Sequence, residues 1–215
     1  MNLSLMKRLS SAWAMLVFAL AFTTVACNQR IVTDKMENNS SRSPVRPENV
    51  NSQFHSALSI PLEDPRILVF KSRRELELYS KDVLVRTYRI GLGFNPKDDK
   101  QREGDGRTPE GEFYIFTKND RSNYYLSLGI SYPNVEDAER GLRDGLISQA
   151  EHDEIVEAIH KMSAPPQNTG LGGQIYIHGN GAKSDWTLGC VALENEDMGE
   201  LYRAVNVGTA VIIGP

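Results

Sequence analysis

The sequence predicts a mainly β fold, a sandwich or barrel carrying a short helical insert, and three observations carry that prediction. Eight short runs of β-branched and aromatic residues recur from Arg66 onward, each bounded by turn residues. One stretch among them, Ser131 to Gly173, switches to helical periodicity. The chain beyond residue 64 is about 150 residues long, an ordinary size for one such domain.

The runs read RILVF, RELELYS, VLVRTYRIG, EFYIFT, YYLSLGI, QIYIH, CVAL and TAVIIG, and the short turns between several of them predict mostly antiparallel pairing. Gly91-Leu92-Gly93 closes the third run. The FNPKDDK that follows opens no helix, so this is a strand end rather than a phosphate loop. Within the insert, helices are predicted over 135–143 and 149–162. Ser148 and Glu151 form a capping box for the second, and Ile155, Val156 and Ile159 supply its apolar stripe until Pro165-Pro166 ends it. The insert leads directly into QIYIH, so it is expected to wall or roof a cleft there, the alternative being a plain surface excursion. No internal repeat is present.

Lys7 and Arg8 precede an uncharged stretch from Leu9 to Ala26, the order of a secretory signal. Its densest apolar part, Ala12 to Phe22, is eleven residues long, whereas a spanning helix needs roughly 20. Cys27 follows Val25-Ala26, the place of the acylated cysteine in a bacterial lipoprotein, although Thr24 stands where an aliphatic residue is usual. Lipidation of Cys27 and ordinary cleavage after Ala26 are the two alternatives. Residues 27–64 are rich in Asn, Ser, Pro and charge and lack periodicity, the composition of a flexible tether. The expected organisation is a signal peptide over 1–26, a tether over 27–64 and one folded domain over 65–215. The expected location is the periplasm, through a lipid anchor in the outer membrane or, without it, as a soluble protein. Loss of residues 1–26 removes Lys7 and Arg8 and no acid, taking the formal charge from −4 to −6. With no Lys/Arg-rich run in the remainder, the chain offers nucleic acid no basic face.

The chemistry concentrates in IHGNGAKSDWTLGCV, from Ile177 to Val191. His178 ends an apolar run, and the glycine-flanked Cys190 follows twelve residues later. A free thiol is only a few per cent thiolate at neutral pH, so a nucleophilic cysteine needs an imidazole to take its proton. Two neighbouring strand ends would bring this pair together. Gly189 has no side chain to keep a scissile carbonyl from the backbone N–H groups there, and Gly179, beside the histidine, is a supporting candidate. Thr187 and Asp185 lie between the pair. Asp185 could fix the imidazole tautomer, and a backbone carbonyl could do so equally well. His152 and His160 are eight residues apart, which is not a zinc-gripping pair, and Cys190 with His178 lacks the further ligands of a structural zinc site. No metal and no cofactor is expected. The other cysteine, Cys27, would be tied up in the anchor, so no disulfide is expected either.

These residues resemble the L,D-transpeptidase (YkuD-like) catalytic domain family, whose signature of a histidine, a spacer and a Ser/Thr-x-Gly-Cys element reads here as His178 and Thr187-Leu188-Gly189-Cys190. GDGRTPEGEFYI from Gly104, and ISYPN from Ile130 followed by Asp137, are similar to its YafK-type murein transpeptidase branch. The resemblance spans Arg66 to Pro215. It implies acyl transfer on peptidoglycan stem peptides, with Cys190 as nucleophile, His178 as base and the Gly189 and Cys190 N–H groups facing the oxyanion. The acceptor implied is an amine from another stem peptide, a D-amino acid or a wall-linked protein. The Gly104–Gly111 loop and Tyr132-Pro133-Asn134 are implied to border the catalytic face, which makes Arg107, Tyr132 and Asn134 candidate substrate contacts. Ala192 stands where the family commonly has an arginine. A cysteine hydrolase of the same fold, trimming stem peptides or releasing wall-linked protein, is therefore the alternative, ahead of a non-catalytic wall-binding module.

Overall fold

A computed structural model describes residues 58–215; the signal segment, Cys27 and the tether up to residue 57 lie outside the described residues. All eight β runs form strands: β1 (Pro65–Phe70), β2 (Glu75–Ser80), β3 (Val83–Arg89), β4 (Gly111–Ser122), β5 (Tyr125–Ile130), β6 (Tyr176–His178), β7 (Val191–Ala192) and β8 (Ala210–Gly214). They make one sheet in the order β3-β2-β1-β8-β4-β5-β6-β7. Pairing is antiparallel except at β1–β8 and β6–β7. The chain just beyond β3 meets the opposite end of that order: Gly91 and Ala192 exchange N–H···O bonds of 2.9 and 2.8 Å. The sheet is thereby curled on itself.

Alternate residues of the strands face one interior, as period-2 patterning requires. Ile67 and Val69, Leu76 and Leu78, Phe113 and Ile115, Leu128 and Ile130, and Val211 and Ile213 are all buried in one cluster. A third helix, α3, fills that interior; the helices among the described residues are α1 (Val135–Arg143), α2 (Gln149–His160) and α3 (Asn195–Ala204). α3 contributes Met198, Leu201 and Ala204 to the cluster and is held by Lys118, whose Nζ donates to the Tyr202 and Val205 carbonyls at 2.6 and 2.7 Å. Sequence patterning missed this helix. Its N-cap, Glu194, makes no side-chain capping bond, and Gly199 lies in its interior, so both start signal and propensity are weak.

α1 and α2 occupy the predicted places, and the Ser148–Glu151 capping box is present. Their apolar side chains form a separate small core of Ala138, Ile147, Ile155 and Leu171. Residues 58–64, placed with the tether by composition, pack onto the domain: Leu58 and Leu62 lie against the main core, and Ser80 Oγ bonds both the Glu63 N–H and the Glu63 carbonyl. Among the described residues no helix is long and apolar enough to cross a membrane.

Two candidate substrate contacts prove to be framework. Tyr132 is wholly buried in the main core, its hydroxyl donating to the Leu171 carbonyl at 2.9 Å. Asn134 caps α1, accepting from the Asp137 N–H at 3.0 Å while the Asp137 carboxylate accepts from the Asn134 N–H at 3.0 Å. An aromatic ring between apolar strands and a polar group at a helix start each have a nearer physical use than substrate. Asn134→Ala should therefore cost about 1 to 2 kcal/mol of stability, read as a lowered urea midpoint. The rate at which iodoacetamide alkylates Cys190 should stay at its wild-type value.

Candidate active site

β6 carries the histidine because its sequence alternates: Ile177 points into the core, and Tyr176 and His178 point the other way, into a cavity of about 700 Å³. β7 runs parallel to β6 with Ile177 opposite Val191 and His178 opposite Ala192. Cys190 lies two residues before Ala192 and so shares the face of His178, one strand spacing across and about 7 Å along. Both line the cavity, as do Lys100, Glu103, Arg121 and Gln174. The structure thus brings the predicted pair to one site from two strand ends.

The thiol sits half-buried, donating to the Gln174 carbonyl at 3.5 Å and accepting from the Tyr176 N–H at 3.4 Å. Burial pushes its pKa up, against the opposing pull of the Tyr176 N–H and the Lys100 ammonium. The His178 ring is only 3% exposed, and burial pushes its pKa below the ordinary imidazole value of about 6.5, against the Gly179 carbonyl. Both shifts favour the uncharged form of the group concerned. Nδ1 lies 2.7 Å from the Gly179 carbonyl. That bond protonates Nδ1 and leaves Nε2 with the lone pair a base needs.

Asp185 plays no part in this orientation. Its carboxylate takes the Arg74 guanidinium at 2.7 to 3.1 Å and the Leu92 N–H at 3.0 Å, tying the loop before the cysteine to the end of β3. Thr187 supports the cysteine turn directly. Its Oγ1 donates to the Cys190 carbonyl at 2.8 Å and accepts from the Gly189 N–H at 3.1 Å. The Gly189 N–H is thus engaged by Thr187 and does not stand free for an oxyanion. Gly189 has φ +138°, and a Cβ there would lie 2.7 Å from the Arg107 carbonyl. Gly179 is equally confined, since a Cβ would lie 2.5 Å from Asn195 Oδ1.

Arg107 contributes that carbonyl and not its side chain. Its guanidinium turns back to the Asp99 carbonyl at 3.1 Å and to Asp98, outside the cavity. The loop around it is built on Asp105, which accepts from Lys100 Nζ and from the Gln101, Arg102 and Arg107 N–H groups at 2.8 to 3.1 Å. Burial alone would raise the Asp105 pKa, but these donors hold it below the usual carboxylate range. Lys100 is therefore pinned beside the cavity. Of the predicted insert wall only Gln167, Gly172 and Gly173 reach the cavity, and the helices α1 and α2 lie behind. Among the described residues no group of three or more His, Cys, Asp or Glu is placed to hold a metal ion.

The sequence profile of the YkuD L,D-transpeptidase catalytic domain matches residues 64–213. The chain belongs to that family. A comparison with curated proteins gave no match. Among solved structures, it is similar to the helical cell shape determining protein Pgp2 from Campylobacter jejuni at 22% identity, over 69% of this chain and 46% of that one, with a TM-score of 0.47. It is also similar to Bd1075 from Bdellovibrio bacteriovorus at 18% identity, over 71% and 48% of the two chains, with a TM-score of 0.47. An L,D-transpeptidase from Mycobacterium smegmatis matches at 11% identity, over 71% and 59%, with a TM-score of 0.42. The chain thus spans about half to three fifths of the length of each.

For this L,D-transpeptidase family member, sequence reasoning missed three cavity residues. Tyr124 and Trp186 flank the His178 ring, and Arg121 comes from the same β4–β5 hairpin as Tyr124. Only Trp186, lying inside the His178–Cys190 segment, carried a local signal. Gly189→Ala should disturb the cysteine turn most, because it adds a close contact to an unfavourable φ, a strain of about 1 to 3 kcal/mol. A lowered melting temperature and a changed Cys190 alkylation rate are the expected readouts. Asp185→Ala, by contrast, should lower the melting temperature without moving the pH midpoint of the His178 titration followed by NMR.

Proposed function

We propose that this protein is a cysteine L,D-transpeptidase that cuts and rejoins peptidoglycan stem peptides through an acyl-enzyme on Cys190. The observation that carries this reading is the arrival of His178 and Cys190 on one face of adjoining strands, inside the cavity of a domain of this family. The thiol leaves the Gln174 carbonyl and gives its proton to His178 Nε2 as Sγ attacks the scissile carbonyl carbon. The C–N bond then breaks, the leaving amine takes the proton from His178, and a thioester remains. An acceptor amine repeats the path in reverse, breaking the C–S bond and returning the proton to the thiol. Conserving the amide's energy as a thioester suits an envelope compartment without ATP.

With the Gly189 N–H held by Thr187, the Cys190 N–H becomes the principal backbone donor to the oxyanion; such a donor contributes roughly 3 to 4 kcal/mol in comparable sites. Arg121 supplies charge recognition. Lys100 is committed to Asp105, and Arg121 has no ion-pair partner among the described residues, so a substrate carboxylate finds its guanidinium available. Ala192 is fully buried beside Gly91 and leaves no place for an arginine there. Export through the signal segment and acylation at Cys27 would bring the domain to the wall, and both belong to this proposal.

The open, polar mouth formed by Asn119, Ser122 and Asn123 favours a second reading, in which water takes the acyl group and the enzyme is a hydrolase. Mass spectrometry of tetrapeptide muropeptides incubated with enzyme and excess D-amino acid separates the two. Exchanged product should form faster than tripeptide; tripeptide formation indifferent to added amine would assign the hydrolase.

Cys190→Ala should abolish acylation by a carbapenem-type β-lactam and all turnover, and retained acylation would sink the proposal. His178→Ala should slow acylation by about 10² to 10⁴. Because the neutral imidazole is the competent form and burial lowers its pKa, the acylation rate should rise with pH through a midpoint below about 6.5 and then level off. Arg121→Ala should reduce kcat/KM for stem peptides by about 10-fold or more, as expected for a hydrogen bond to a charged group. Alkylation by uncharged iodoacetamide should be unaffected.

A further inference from the structure

We infer that Tyr124 and Trp186 act as positioning residues, an aromatic clamp that fixes the plane of the His178 imidazole and keeps water from it. This deepens the cysteine acyl-transfer reading and rests on it. The Tyr124 ring stacks on His178 at 4.7 Å between centroids with 29° between planes. Trp186 meets the imidazole edge-on at 5.6 Å and 67°, and the two clamp rings touch each other at 5.8 Å. Both are tied to the backbone around the histidine. The Tyr124 carbonyl accepts from the Gly179 N–H at 3.1 Å, and Trp186 Nε1 donates to the Gly181 carbonyl at 3.1 Å.

The burial pattern sets this arrangement apart from ordinary core packing. Tyr124 and Trp186 are 44% and 38% exposed, yet the imidazole between them is almost fully covered. Two large apolar faces are left at the rim of a polar cavity, and what they cover is the proton acceptor. The Gly179 bond holds Nδ1 but leaves the ring free to tilt about that contact; stacking on one face and an edge contact from another segment remove the tilt. The titratable groups facing His178 are the Cys190 thiol and the Tyr124 phenol, and the charged side chains of the cavity are Lys100, Glu103 and Arg121. None of these charges contributes to the lowered His178 pKa, which follows from burial. Removing the rings therefore has a definite sign: water enters, the protonated form is better solvated, and the midpoint climbs toward about 6.5.

The test compares Tyr124→Phe, Tyr124→Ala, Trp186→Phe and Trp186→Ala in the folded protein, with thermal melts alongside. The phenylalanine variants should keep kcat within about threefold. The alanine variants should lose about tenfold or more in kcat, leave KM within about twofold, and move the pH midpoint upward. The His178 resonance of the free protein, titrated by NMR, should shift its midpoint in the same direction. That measurement needs no turnover, so it distinguishes failure of the clamp from failure of the cysteine mechanism. Wild-type rate and midpoint in both alanine variants would overturn the inference. So would a loss confined to KM with an unmoved midpoint, which would make the rings a substrate platform. If Trp186→Ala does not fold, the Tyr124 pair decides the question.

Discussion

The site depends on a backbone junction with no room for side chains. Where the chain leaves β3, a Cβ on Gly93 would lie 2.1 Å from the Gly106 carbonyl and 3.2 Å from the Gly189 Cα. The two ends of the β3–β4 connection, Gly93 and the loop built on Asp105, therefore meet the sequence-distant cysteine turn through bare main chain. The Thr187 N–H donates to the Leu92 carbonyl, and the Phe94 N–H donates to the Thr187 carbonyl, at 3.1 and 2.9 Å. These bonds, with the Gly91–Ala192 exchange beside them, curl the sheet and set Cys190 at the closure. Cys190 is thus located by the same contacts that complete the fold.

A buried ammonium and a half-buried guanidinium brace the junction from behind. Lys71 at the end of β1 donates to the Asp98 and Thr108 carbonyls and to Glu110 Oε1, at 2.5 to 2.9 Å. Arg140 of α1 reaches Asp99, the Lys100 carbonyl and Asp137 at 2.7 to 3.2 Å. A buried ammonium or guanidinium is tolerated only where most of its hydrogens are satisfied, so each fixes several backbone segments at once. The helical insert acts on the site mainly through this brace. α1 thus lies outside the cavity and still contacts the segment that carries Lys100 to its wall.

Much of this was legible in the sequence, and the failures share a physical origin. Strand runs are local patterns, and every one of the eight formed a strand; α1 and α2 carried strong start signals, whereas α3 carried an apolar stripe without a cap. His178, Thr187 and Cys190 could be read as neighbours because one short segment holds them all, whereas the Gly189 N–H, expected to face an oxyanion, is taken by Thr187. Arg121 and Tyr124 could not be so read, since they reach the cavity from a hairpin more than fifty residues upstream. Asp185, Arg107, Tyr132 and Asn134 were misplaced for a different reason. Asp185 was a candidate for lying between His178 and Cys190, and the other three because the resemblance put their loops at the catalytic face, but neither ground fixes where a side chain points. In the fold each found a partner that its own backbone position offered: Arg74 for Asp185, the Asp99 carbonyl for Arg107, the core and the Leu171 carbonyl for Tyr132, and the α1 amides for Asn134.

The electrostatics of the pair follow from the same architecture. A cysteine–imidazole pair can rest charged or neutral, and the choice turns on whether the surroundings solvate charge better than they exclude water. Here His178 is covered by aromatic rings and takes its one polar contact from a carbonyl, while the thiol is half-buried with one N–H and a distant ammonium to favour its anion. Water exclusion wins at the base, and the uncharged form is favoured. In the proposed acyl transfer the thiol would stay protonated until substrate arrives, and the developing oxyanion and the transferred proton would then appear together and stabilise each other. On that proposal the burden of activation falls on His178 being correctly aimed, so the chemistry would draw on geometry at the imidazole more than on a standing thiolate.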